Sequence, residues 1–72
     1  MFTLNKEKTM RNIKYARKDK CITQEKAAKL LHVNIHTVAR WENVTVPPFE
    51  VILELANLYN VNWQQLLVVE DK

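Results

Sequence analysis

The sequence contains no glycine. A glycine-rich loop that cradles phosphates with bare backbone is therefore excluded. There is one cysteine, Cys21, so no internal disulfide can form, and a reducing cytosol is the expected compartment. Cys21, His32 and His36 do not make a zinc site: the two histidines are four apart, but a turn interrupts the helix between them and a fourth ligand is lacking. No metal and no cofactor are expected. No apolar run approaches the roughly 18 residues of a membrane span, and Met1 to Leu4 is too short an apolar stretch for a signal peptide. The two prolines are adjacent, Pro47-Pro48, and bar helix at one point only. Repeats and low-complexity segments are absent, as are a nucleophile–base pair and an acid pair, so the chain does not read as an enzyme.

What is present is a small, apolar-rich and electrically lopsided chain. Its 72 residues are 47% apolar, enough for a folded domain but with a thin core that dimerisation would help. Residues 1–41 hold ten bases against three acids (Glu7, Asp19, Glu25), net +7. Residues 42–72 hold Lys72 against five acids, net −4. A basic half facing phosphates and an acidic half facing away is the layout of a nucleic-acid-binding module. The same asymmetry also suits an ordinary solvated surface.

Periodicity gives five helices and no strands. The first covers roughly Lys6 to Asp19, with Met10, Ile13 and Arg17 on its inward stripe. Thr9 is an alternative N-cap, in which case residues 1–8 form an arm ahead of a domain at 9–69, with 70–72 as a tail. Thr23 caps a second helix to about Leu31, and Asn34 caps a third to about Glu42. A fourth covers Phe49 to Tyr59, with Ile52, Leu55, Ala56 and Tyr59 as its buried stripe. Asn60 can take the left-handed conformation that stops it. Asn62 caps a short fifth helix carrying Trp63, Leu66 and Leu67.

The stretch from Gln24 to Trp41 is the most informative, within a helix-turn-helix at about 24–43. Ala27, Ala28 and Leu31 lie on one side of a short helix. Val33 follows the turn, and Val38 and Trp41 sit three apart on the next helix. That spacing locks two helices around a small core. With Val38 and Trp41 inward, Ile35, His36, Ala39, Arg40 and Asn43 share the opposite face, a polar face suited to the major groove.

These residues resemble the helix-turn-helix domain of the phage repressor/Cro type, the Xre family. The resemblance runs from about Ile13 to Leu67. Its pieces are Ile13, Ala16 and Arg17; Ile22-Thr23-Gln24-Glu25; Ala27-Ala28; Leu31; Val38-Ala39-Arg40-Trp41-Glu42-Asn43; Pro47; Leu55-Ala56; and Val61 with Leu66-Leu67. It implies a compact, all-α, five-helix lambda-repressor-like DNA-binding domain. His32, Cys21 and Val44 stand where the family commonly has glycine, and the loop after the third helix lacks the family's basic residues. A left-handed residue with a side chain at His32 would cost roughly 1–2 kcal/mol.

Within that frame Arg40 is the first candidate base reader, through two bonds to a guanine edge, with phosphate contact as its alternative. Ile35 could touch a thymine methyl or be a stray surface apolar residue. His36 could meet a base or a phosphate. Asn34 reads as a cap before a base reader, and Thr37 as a backbone-positioning hydroxyl or a solvated one. Gln24, at a helix N-terminus that favours anions, matches a family position that bonds phosphate, and Asn43 resembles another. Lys14, Lys18 and Lys26 could add phosphate contacts or be ordinary surface lysines. Arg17 and Glu42 match a family pair that forms a structural ion bridge between the first and third helices. Trp63, Leu67 and Val68 form a candidate dimer surface, since family members often pair through the fourth and fifth helix region.

The reading that follows is a sequence-specific transcriptional regulator. It is expected to be a homodimeric, cytoplasmic repressor of the Cro, phage or mobile-element kind, on a near-palindromic double-stranded operator. The alternative is an antitoxin-like or adaptor module on the same fold, binding a protein through its C-terminal apolar surface with weak or no DNA binding.

Overall fold

The structure, a computed structural model, describes residues 1–71. Among these residues five helices follow one another: α1 (Lys6–Asp19), α2 (Gln24–Leu31), α3 (Ile35–Asn43), α4 (Phe49–Leu58) and α5 (Trp63–Leu66). They enclose a core of Ile13, Ala27, Ala28, Val38, Ile52, Leu55, Ala56, Tyr59 and Leu66. Ala27 and Ala28 matter by being small. Both are buried between α2 and its neighbours, where a larger side chain would force the helices apart. Val33, Trp41, Val46 and Leu67 pack partly buried around this centre.

Local chemistry sets the helix boundaries. The side chains of Asn5, Thr23 and Asn34 accept from the backbone N–H of Lys8, Lys26 and His36, satisfying first-turn donors that have no partner inside the helix. The helix stops are more unusual. Cys21, His32 and Asn60 all have positive φ, at 57°, 58° and 56°. After each, the next residue donates back five positions: Ile22 to Arg17, Val33 to Ala28 and Val61 to Ala56. This is the glycine-type helix stop, repeated three times with residues that carry a Cβ.

The expectation of helices alone is corrected at the chain ends. β1 (Phe2–Leu4) and β2 (Val69–Asp71) pair antiparallel, with Thr3 opposite Glu70. Residues 2–4 of the expected arm are therefore a strand joined to its distant partner. In the expected tail, Glu70 and Asp71 lie in β2, and Lys72 lies outside the described residues. A two-stranded ribbon of three residues a side is marginal by itself. Here it is fastened to α1. Asn5 N–H donates to the Val68 carbonyl, and Asn5 Nδ2 to Glu70 Oε1 at 2.8 Å. The Thr9 hydroxyl is buried; it donates to the Asn5 carbonyl and accepts from Val68 N–H. Thr9 is thus not the cap of α1. Asn5 takes that place, and Thr9 ties the helix to the ribbon.

Candidate nucleic-acid interface

α3 is held from behind by side chains that cannot face solvent. Val38 is buried in the core, and Glu42 is buried against Arg17 of α1. Arg17 Nε donates to Glu42 Oε2 at 2.7 Å and Nη2 donates to Oε1 at 3.2 Å, a two-pronged fork. The third arm, Nη1, donates to the Ile22 carbonyl at 2.7 Å, fixing the turn that leads into α2. Gln24 Nε2 donates to the same Glu42 Oε1 at 3.1 Å. One carboxylate therefore joins α1, the first residue of α2 and the last turn of α3.

That cluster leaves one face of α3 outward. Ile35, His36 and Arg40 are exposed, Ile35 by 40% of its surface. Thr37 and Ala39 are half-buried beside them. Asn43 is exposed, and its Nδ2 donates back to the Ala39 carbonyl at 2.9 Å, extending the helix end. Asn34 uses its side chain to cap α3 through the His36 N–H. Gln24 is half-buried; the amide nitrogen engaged by Glu42 has a second N–H. Lys14 lines an open groove with Asn43, between α1 and the end of α3. Lys26 lies apart from that groove, on the first turn of α2 beside Thr23, Glu25 and Lys29.

Behind the ion pair stands Tyr59 of α4's C-terminal cap, fully buried. Its phenol is pushed up to about 12, first by burial and then by the nearby Glu42 charge, which Arg17 partly offsets. Among the described residues its hydroxyl has no hydrogen-bond partner.

On α4 and α5 a second surface emerges. Trp63 meets Phe49 edge to face, with ring centres 5.2 Å apart and planes at 84°. Phe49 and Leu53 are both exposed, one helical turn apart on α4. Leu67 and Val68 are half-buried: Leu67 packs against the core, and Val68 holds the ribbon through its backbone. Of the three residues expected on an apolar surface, Trp63 is the one that presents a ring to solvent. Its companions Phe49 and Leu53 do not follow from the sequence reading above. Sequence narrows the choice without making it: once Ile52, Leu55, Ala56 and Tyr59 fill the inward stripe, α4 has four apolar residues left, and Val51 and Leu58 pack against the core while Phe49 and Leu53 stay exposed.

A protein-family model described as helix-turn-helix matches residues 13–66, well over half the chain. No curated protein and no solved structure matches it.

Proposed function

The chain belongs to the Xre-type helix-turn-helix family of DNA-binding transcriptional regulators, and on that premise we propose that it is a sequence-specific repressor acting as a homodimer on a near-palindromic operator. The observation that carries this reading is the outward face of α3. Ile35, His36 and Arg40 are exposed together on a helix whose opposite side is fixed by Val38 and by the Arg17–Glu42 fork.

In the proposed mechanism the basic half of the chain steers onto the duplex, and α3 enters the major groove. Arg40 donates two bonds to a guanine edge, His36 reaches a neighbouring base, and Ile35 packs on a thymine methyl. Ala39 is small enough to let the helix approach. Gln24, Asn43, Thr37, Lys14 and Lys26 set the register on backbone phosphates. Gln24 does so from a helix N-terminus whose free N–H groups favour an anion. Glu42 takes no part in DNA contact; its charge is matched by Arg17 and it orients Gln24. Two copies, pairing through the Trp63, Leu67 and Val68 region and the adjoining Phe49, would bind half-sites roughly one helical turn apart. Repression needs only that the bound dimer occlude the operator, as in small phage or mobile-element regulators.

Selection of bound sites from random duplex DNA tests this. Enrichment of a two-fold symmetric site supports the proposal. Absence of enrichment, together with capture of a protein partner that Trp63→Ala abolishes, would contradict it in favour of an adaptor or antitoxin-like module.

A further inference from the structure

The loop after α3, residues 44–48, reads Val-Thr-Val-Pro-Pro and brings no charge to the end of the recognition helix. The cations there come from elsewhere. Arg11, Lys14 and Tyr15 of α1 line an open groove of about 280 Å³ with Asn43 on its far side. Arg11 and Tyr15 are exposed, and Lys14 is half-buried. Arg17 is committed to Glu42 and Lys8 to Glu70, but Arg11 and Lys14 enter no ion pair among the described residues. Glu7 also lines the groove, and so does Glu42, whose charge is already neutralised within the fork. Two cations against one unmatched acid leave the groove net positive.

The placement of this groove gives it meaning. It opens beside Glu42, the residue whose buried carboxylate holds Gln24 at the start of α2. Glu42 thus relates two features to α3: the Gln24 amide, held by its carboxylate, and the cationic groove, whose wall it joins. We propose that this groove seats one phosphodiester of the DNA backbone. Arg11 is its principal cation, Lys14 and the Asn43 amide complete the cradle, and the Tyr15 hydroxyl donates from its edge. α1 then supplies the anchor at the end of the recognition helix that the uncharged loop does not. This inference rests on the DNA-binding reading above and names a site within it.

The test uses the full chain and one duplex enriched from the random pool. Affinities of wild type, Arg11→Gln, Arg11→Lys and Lys20→Gln are measured over a salt series. Each is then measured again on duplexes in which one backbone phosphate at a time is replaced by a neutral methylphosphonate. Lys20 is an exposed cation outside the groove. One methylphosphonate position is expected to weaken wild type about tenfold and to leave Arg11→Gln nearly unmoved. Arg11→Gln should shorten the log–log salt slope by about 0.9 with base preference unchanged. Arg11→Lys should restore most of the response, and Lys20→Gln should respond to that position as wild type does. If no position distinguishes Arg11→Gln from wild type, or if Lys20→Gln behaves the same way, the groove is not a phosphate seat while DNA binding itself stands. Wild type that binds no duplex would overturn both readings.

Discussion

Removing the Glu42 carboxylate should take away a large part of this protein's stability. Glu42 Oε1 and Oε2 accept three bonds, two from Arg17 and one from Gln24, with the carboxylate fully buried and the guanidinium nearly so. In Glu42→Leu the Arg17 guanidinium stays buried with only its Ile22 carbonyl bond. Stripping one partner from a buried pair costs about 3–5 kcal/mol. A domain of this length holds about 4–11 kcal/mol in all, so the single variant should lose at least a quarter of its stability and up to all of it. Arg17→Met in the same background removes the stranded charge, and apolar replacement of both partners is often neutral or stabilising. The double variant should therefore recover most of the loss. Urea unfolding followed by circular dichroism on the two singles and the double closes the cycle. Single costs below about 1 kcal/mol that simply add would refute the claim that the fork is one buried unit. The folded double variant also tests the functional role of the fork: with Gln24 untethered, its DNA affinity should fall although most of its stability returns.

Three further outcomes follow from the same geometry. His32→Gly should stabilise the domain by about 0.5–1 kcal/mol, since relief of the left-handed penalty exceeds the added freedom of the unfolded chain; a lower thermal midpoint would count against it. Tyr59→Phe should change little at neutral pH, because the lost hydroxyl has no partner among the described residues. At alkaline pH the two proteins should diverge. The folded phenol sits at about 12 against 10 when exposed, so wild-type stability holds below pH 10 and falls by up to about 2–3 kcal/mol between pH 10 and 12 as the unfolded phenol ionises first. Parallel alkaline limbs in denaturant titrations would contradict this. Thr9→Val strands the Val68 N–H and should cost about 1–3 kcal/mol, with amide exchange accelerating first in residues 2–4 and 69–71; unchanged exchange there would show that Thr9 does not fasten the ribbon.

The helices were legible because their signals are local. Thr23 and Asn34 are short polar residues ahead of apolar periods, and both cap as read; Asn60 takes the left-handed turn expected of it. The ribbon was not legible. Three-residue strands carry almost no pattern, and β1 and β2 find each other only because α1 and the end of α5 bring residues 5 and 68 together. Thr9 misled for a related reason: a threonine ahead of an apolar stripe looks like a cap until a distant backbone N–H is seen to use its hydroxyl. At the interface, the inward and outward faces of α3 could be read from the spacing of Val38 and Trp41. That Gln24 is held by Glu42, that Asn43 bonds back to Ala39, and that Arg11 shares a groove with Asn43 depend on how α1 lies against α3, which no single segment encodes.

In the proposed mechanism α3 reads bases through Arg40. The most direct measurement is the affinity of wild type and Arg40→Ala for the enriched operator and for every single-base variant of it. A base-reading arginine requires Arg40→Ala to lose about 1–3 kcal/mol on the operator and to become indifferent at one guanine position while keeping its preferences elsewhere. Uniform weakening across all variants, with every base preference intact, would make Arg40 a phosphate contact and contradict the account.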